Sequence, residues 1–247
     1  MIAATKLGRE MKRRHQAGEF GIEILHPGLA DNAGDSGIGA LGRIDHARVG
    51  EGTVVRMHPH KDDEILTYLR GGRVRHQDTE GHLEEISATR LMMMNAGRSF
   101  QHEETVIDGP LTGLQIFLRP HAPDLDPMVQ FHDFGTAHSV NEWRLIAGPR
   151  DAPLTVRGEV QVHDMRLDAG RMTTLPIPPW PEATLLLYLF DGRITADSTA
   201  LDPGEALMVS ADAAIAADQT SDLVLFIIDR NAPVFRGGMF SGNLIGA

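Results

Sequence analysis

Gly52-Thr53-Val54-Val55-Arg56-Met57-His58-Pro59-His60-Lys61-Asp62-Asp63-Glu64-Ile65-Leu66-Thr67-Tyr68-Leu69-Arg70-Gly71 is the stretch that decides the fold. A glycine is followed after five residues by His-x-His, after three more by glutamate, and after six more by a second glycine. Residues two apart on a β-strand share a face, so His58 and His60 can aim both imidazoles at one point. Phe100-Gln101-His102-Glu103-Glu104 repeats that spacing with His102 and Glu104. Two strands, each giving two ligands from one face, make a site of three histidines and one carboxylate for a divalent metal. Such donors suit iron, nickel, copper, manganese or zinc better than calcium or magnesium.

The run from His58 to Leu69 with Gly71-Gly72, together with Asn95-Ala96-Gly97-Arg98-Ser99-Phe100-Gln101-His102-Glu103-Glu104, resembles the pirin family, a branch of the cupins. A weaker likeness extends to Gly39-Ala40-Leu41-Gly42-Arg43 and to Arg144-Leu145-Ile146-Ala147-Gly148-Pro149. The resemblance implies an all-β bicupin: two antiparallel barrels of jelly-roll type packed face to face. It implies a metal-binding unit at residues 1–140 and a vestigial cupin at 141–247. The implied ligands are His58, His60, His102 and Glu104, holding one divalent transition metal. Iron or nickel comes first, with copper, manganese and zinc as alternatives. The implied activity is that of a metal-dependent dioxygenase resembling quercetin 2,3-dioxygenase. It would use dioxygen to cleave a flavonol or a related enol or catechol-like compound, with Glu104 as ligand and general base. The alternative that the family suggests is a redox-responsive metal protein that binds a protein partner without turnover. Two departures stand out. Many relatives have a Phe-rich segment where this chain reads Phe20-Gly21-Ile22-Glu23-Ile24-Leu25, and Asp62-Asp63 replaces a small residue and an aromatic, which predicts a more acidic rim.

Strand signals recur at short intervals, at 52–57, 64–69, 73–77, 83–87, 91–94 and 114–118, with turns expected at Gly71-Gly72 and Thr79-Glu80-Gly81-His82. A second series at 159–167, 184–190, 193–196, 206–209 and 223–228 repeats the theme. Leu187-Tyr188-Leu189-Phe190-Asp191-Gly192-Arg193-Ile194 aligns with Thr67-Tyr68-Leu69-Arg70-Gly71-Gly72-Arg73-Val74, which suggests duplication. The second copy has Pro178-Pro179-Trp180-Pro181 and Ala214 to Ala217 where histidines would fall, so it should bind no metal. The connection between halves is expected around His132 to Gly148, where strand patterning lapses.

Glu64 has three readings: alternative ligand, orienting partner of a ligand imidazole, or salt-bridge residue, the second being preferred. Glu103 should face away from Glu104 by strand alternation. Met92, Met93 and Met94 read as core filling rather than a soft-metal site. His76, His82, His121, His132, His138 and His163 lack a partner at comparable spacing and are assigned to surface or loops.

The chain has 247 residues and no cysteine, which leaves metal binding to imidazole and carboxylate and permits a reducing compartment. No secretory signal pattern or membrane-length apolar run is seen, so the protein is expected to be soluble and cytoplasmic. A net charge of -11 argues against nucleic-acid partners. Lys12-Arg13-Arg14, the one short basic cluster, reads as a solvated turn.

Overall fold

The computed structural model describes residues 5–31 and 34–242. Among them are twenty strands and two single-turn 3-10 helices, with no α-helix. The first ten strands are β1 (Lys6–Leu7), β2 (Arg13–Ala17), β3 (Phe20–Leu25), β4 (Leu41–Val49), β5 (Val54–His60), β6 (Glu64–Asp78), β7 (Leu83–Ile86), β8 (Arg90–Asn95), β9 (Phe100–Leu118) and β10 (Met128–Asp133). The others are β11 (Arg144–Gly148), β12 (Leu154–Thr155), β13 (Val160–Leu167), β14 (Met172–Thr174), β15 (Thr184–Asp191), β16 (Ile194–Ala196), β17 (Thr199–Leu201), β18 (Ala206–Val209), β19 (Ala214–Ala217) and β20 (Ser221–Ile228).

The first half forms one sheet in the order β10-β8-β6-β9-β4-β3-β2, with β5 added on β9 and β7 on β6. It folds over because β6 and β9 are long and bent. Their pairing shifts register between Leu69 and Val74, so each strand serves both walls of the barrel. Gly71-Gly72 is thus a bulge inside β6 rather than the expected turn. Gly72 sits there at φ +76°, where a Cβ would meet Asp108 O at 2.7 Å. The expected strands 64–69 and 73–77 are one strand for the same reason, and 114–118 is the end of β9.

The second half has a sheet ordered β1-β18-β15-β20-β13-β11-β12 facing a smaller one ordered β14-β19-β16-β17. Apolar residues separate into three cores according to strand alternation. Ile65, Leu69, Met92, Met94 and Phe117 fill the first barrel, and Leu187, Leu189, Ile215 and Leu225 fill the second. Leu66, Tyr68, Met93, Leu186, Tyr188 and Phe226 belong to a third core where the two large sheets meet back to back. The methionines are therefore core residues, with Met93 on the opposite face from its neighbours. The fold is the bicupin that the sequence implied.

The two halves exchange their ends. β1 pairs with β18 of the second half, whereas Phe240 N and Ser241 N donate to the Asp63 carboxylate of the first. Asp62 and Asp63 are both buried, and Asp62 accepts from Asp124 N at 2.7 Å, so they do not make the acidic rim expected of them. Lys12 is also buried, unlike Arg13 and Arg14, which corrects the reading of that cluster as a solvated turn. The segment 132–148, where strand patterning lapses, nonetheless contains β11 and the end of β10.

Candidate metal centre

β5 and β9 pair with His58 opposite His102 and His60 opposite Phe100. Because His58, His60 and His102 lie on one face of this pair, their rings converge. The three Nε2 atoms form a nearly equilateral triangle: His58 to His60 is 3.0 Å, His60 to His102 is 3.0 Å, and His102 to His58 is 3.1 Å. An ion bound at about 2.1 Å from each would see them at roughly right angles, as on one face of a five- or six-coordinate centre.

In His58 and His102 the proton is placed to leave Nε2 free. His58 Nδ1 lies 2.8 Å from the Arg56 carbonyl, which can only accept, so its proton is on Nδ1. His102 is set by a longer chain. Asp78, paired with His102 across β6 and β9, takes a hydrogen bond from His76 Nε2 at 2.8 Å. That leaves His76 Nδ1 as an acceptor, 3.4 Å from His102 Nδ1, and puts the His102 proton on Nδ1. Asp78 is fixed in turn by the backbone N–H groups of Glu80 and His82 and by the His82 ring. Its carboxyl is held below the usual range: burial opposes this, but hydrogen bonds from His76 and His82 outweigh it. A ligand imidazole braced by a second imidazole and a carboxylate is a recurrent device for fixing tautomer and orientation.

His76, assigned from sequence to the surface or a loop, is fully buried, and His163 is buried too. The signal that could have found His76 is its own spacing, His76-Gln77-Asp78, which puts imidazole and carboxylate on one strand face. Only the long-range pairing of β6 with β9 shows what that face meets.

Burial and the neighbouring imidazoles of His60, His58 and His76 hold His102 far below the ordinary histidine range. Burial likewise lowers His58. Neutral imidazoles are the form that binds metal. Phe240, brought by the C-terminal segment, packs its ring 5.2 Å from that of His60 and 5.4 Å from Phe117, closing one side of the site. Nothing near the histidine motif announces this residue.

Glu104 is placed differently from the three histidines. Its Oε1 lies 3.7 Å from His102 Nδ1, on the ring nitrogen that faces His76 rather than the triangle. Oε1 is buried without a hydrogen-bond partner, and Oε2 has only Gln115 Nε2 at 3.5 Å. Burial pushes the Glu104 carboxyl up to about 7. It borders a cavity of about 60 Å³ inside the barrel, walled by Val55, Leu69, Val106 and Leu114. Glu103 turns elsewhere, with Oε2 3.4 Å from Met57 N. Glu64 does not orient a ligand imidazole as preferred from sequence. Its carboxylate accepts from Arg157 Nε at 2.7 Å, Arg157 N at 3.0 Å and Asn95 Nδ2, joining the two halves. It takes the salt-bridge role.

The donor set and its spacing fit a single divalent metal. Fold and site together define a bicupin with a candidate metal centre in its first barrel. Residues 29–118 match the family model described as Pirin. Quercetin 2,3-dioxygenase of Escherichia coli (strain K12) is 28% identical over 196 residues, 77% of this chain and 83% of that protein. The structure of YhhW from Escherichia coli matches with a TM-score of 0.80 at 23% identity, covering 92% of this chain and 97% of that one. The bacterial pirin YhhW in complex with nickel(II) matches with a TM-score of 0.80 at 24% identity, covering 94% and 100%. No described helix is long and apolar enough to cross a membrane.

Proposed function

We propose that the chain is a metal-dependent dioxygenase of pirin type, acting on a flavonol or a related aromatic enol or catechol-like compound. The observation that carries this reading is the triangle of three converging Nε2 atoms beside a carboxylate whose Oε1 is buried without a partner. The relatives named quercetin 2,3-dioxygenase supply the substrate class. His58, His60 and His102 would hold the metal, with iron or nickel as first choices and copper, manganese or zinc as alternatives. Bound there, the ion would act as a Lewis acid that stabilises an enolate and brings it together with dioxygen.

Glu104 has two roles in this reading. Turned toward the triangle it is the fourth ligand; turned as described above, it accepts the enol proton. A carboxyl with its pKa near neutrality is suited to the second task. Apolar walls line the cavity beside Glu104, and Phe240 and Phe117 pack on one side of His60. We assign the metal-binding unit to residues 1–140 and the ligand-free unit to 141–247, and place the protein in the cytoplasm.

The test is aerobic incubation of protein loaded with each metal in turn. Loss of the flavonol absorbance band with matching oxygen uptake is expected. No uptake with any metal across several flavonols and catechols would overturn the proposal. One observation favours the second reading, a metal-binding regulator that engages a protein partner without turnover. The cavity beside Glu104, about 60 Å³, is smaller than the roughly 150 Å³ that admits benzene. Partner capture that depends on metal oxidation state, without substrate loss, would establish that reading instead.

A further inference from the structure

The two large sheets carry equivalent rows across the interface between the halves. In the first, Tyr68 is opposite Leu114, Leu114 opposite His46, and His46 opposite Glu23. In the second, Tyr188 is opposite Val224, Val224 opposite Asp164, and Asp164 opposite Arg144. His46 and Asp164 thus hold matching positions, as do Glu23 and Arg144. Two residues beyond each tyrosine stand Arg70 and Phe190, which also correspond.

Around Asp164 the chain satisfies its own charges. Arg144 donates to both carboxylate oxygens at 2.9 and 2.7 Å, Arg70 forms an ion pair with it, and Tyr68 donates at 3.1 Å. The matching place around His46 is not filled in this way. A neutral imidazole replaces the carboxylate, with Phe190 stacked on it at 4.6 Å in place of Arg70. What remains is a cleft of about 350 Å³ between β2, β3 and β4 and the turn at Pro203-Gly204.

Strand alternation gives this cleft a regular floor. Arg14, Glu23 and His46 form one cross-strand row, and Gln16, Gly21 and Arg48 form the next. Gly21 leaves the middle of the second row without a side chain, where a Cβ would meet Gln16 Oε1 at 2.4 Å. Arg9 completes the rim. Behind it Lys12 Nζ, its side chain wholly buried, lies so close to Gly204 that a Cβ there would be 2.9 Å away.

Four cations therefore surround the cleft, in a protein whose net charge is -11. The one carboxylate among its lining residues, Glu23, is shared loosely by Lys12 at 3.5 Å, Arg9 at 3.6 Å and Arg14 at 3.3 Å. The Arg48 side chain is exposed and makes no ion pair or hydrogen bond with the described residues. His46 Nδ1 accepts from Tyr188 at 2.9 Å, which leaves Nε2–H as a donor. The cleft thus offers several N–H donors, little to accept them, and one aromatic wall.

We propose that this cleft is a binding site for a small organic anion, a carboxylate or a phosphomonoester, separate from the metal centre. Guanidinium groups bind either group through paired charge-assisted hydrogen bonds, and Phe190 supplies an apolar surface for the ligand's carbon skeleton.

The test is calorimetric titration of the full chain with inorganic phosphate and, separately, with succinate. Saturable one-to-one binding of either probe is expected, and the tighter of the two identifies the ligand chemistry. Arg48→Ala and Arg14→Ala should each weaken it by about tenfold or more. Glu23→Gln should tighten it by removing the competing carboxylate. Arg48 is exposed and unpaired, so its removal decides the matter even if the Glu23 variant fails to fold. Absence of saturable heat with both probes overturns the proposal, as does an affinity unchanged by both arginine substitutions.

Discussion

Tyr188 Oη lies 2.9 Å from His46 Nδ1, reaching from the second half into the first, and Tyr68 reaches the opposite way to Asp164 at 3.1 Å. The pairs occupy corresponding positions in the two sheets, so the interface keeps the two-fold plan of a duplicated domain while its chemistry has diverged. In one pair the tyrosine donates to a carboxylate held by two arginines. In the other it stands between a buried ammonium and a neutral imidazole, accepting from Lys12 Nζ at 3.0 Å.

That difference predicts unequal costs for one deletion. Tyr68→Phe leaves Asp164 with both arginines and should lower stability by about 1 kcal/mol. Tyr188→Phe deprives both Lys12 and His46 of a partner in a buried place, and about 2–3 kcal/mol is expected. Urea denaturation monitored by circular dichroism measures both. Equal losses, or a larger loss for Tyr68→Phe, would count against the assigned hydrogen-bond chain.

The Asp78–His76–His102 chain predicts that metal affinity depends on a residue that touches no metal. His76→Phe removes the acceptor for His102 Nδ1–H and should weaken metal binding by about 10- to 100-fold. His76→Asn restores an acceptor oxygen at a similar place and should recover most of that loss. Chelator competition reads the affinity, and nitrogen chemical shifts of the metal-free protein report whether the His102 proton has left Nδ1. An unshifted His102 signal in His76→Phe, with affinity intact, would show that the chain has no orienting role.

For the ligands, His102→Ala should abolish metal retention and Glu104→Gln should weaken it while keeping the fold, because an amide oxygen is a poorer donor to a divalent ion. Glu103→Gln should change little. Glu64→Gln should act on stability instead: removing one partner of its buried pair with Arg157 costs about 3–5 kcal/mol. Metal content per folded chain separates these outcomes. Metal loss in Glu103→Gln but not Glu104→Gln would mean that the strand register is off by one.

His46 and His163 predict lability to acid. Burial lowers both imidazoles to about 4, with the Lys12 and Arg48 charges adding to the effect at His46. Between about 4 and 6.5 the unfolded chain holds protons that the folded one refuses, so stability is complete above this window and falls as pH drops through it. Each group contributes at most about 3–4 kcal/mol, at roughly 1.4 kcal/mol per unit. Melting temperatures across the window, with His46→Gln giving a shallower slope, provide the measurement. A flat profile between these limits would refute it.

The sharing of one face by His58 and His60 was legible because it depends on strand period alone, which sequence displays directly; that His102 joins them rests on the pairing of β5 with β9, which the family resemblance implied. The separation of Met93 from Met92 and Met94 followed from the same rule. The placement of Glu104, the burial of His76 and the turning of Glu64 toward Arg157 were not legible. Each depends on which distant strand lies alongside, and a strand's own pattern does not name its neighbour. The early strands β1 to β4 escaped notice for a related reason: β2 is exposed along its whole length and lacks the alternation that marks a half-buried strand. Lys12 looked solvated because its neighbours are; its burial comes from Tyr188, far away in the chain, together with Glu23 on β3.

Asp63 grips the backbone of Phe240 across 177 residues of sequence, and Phe240 then lies against the His60 ring. During synthesis the three histidines emerge in the first half of the chain, long before the aromatic wall that covers them. A barrel folded before residues 239–241 are made would present its imidazoles to the surrounding metal pool uncovered, because the covering segment follows much later in the chain. In the finished fold, release of residues 239–241 from Asp63 would withdraw that wall and uncover the same face of the site.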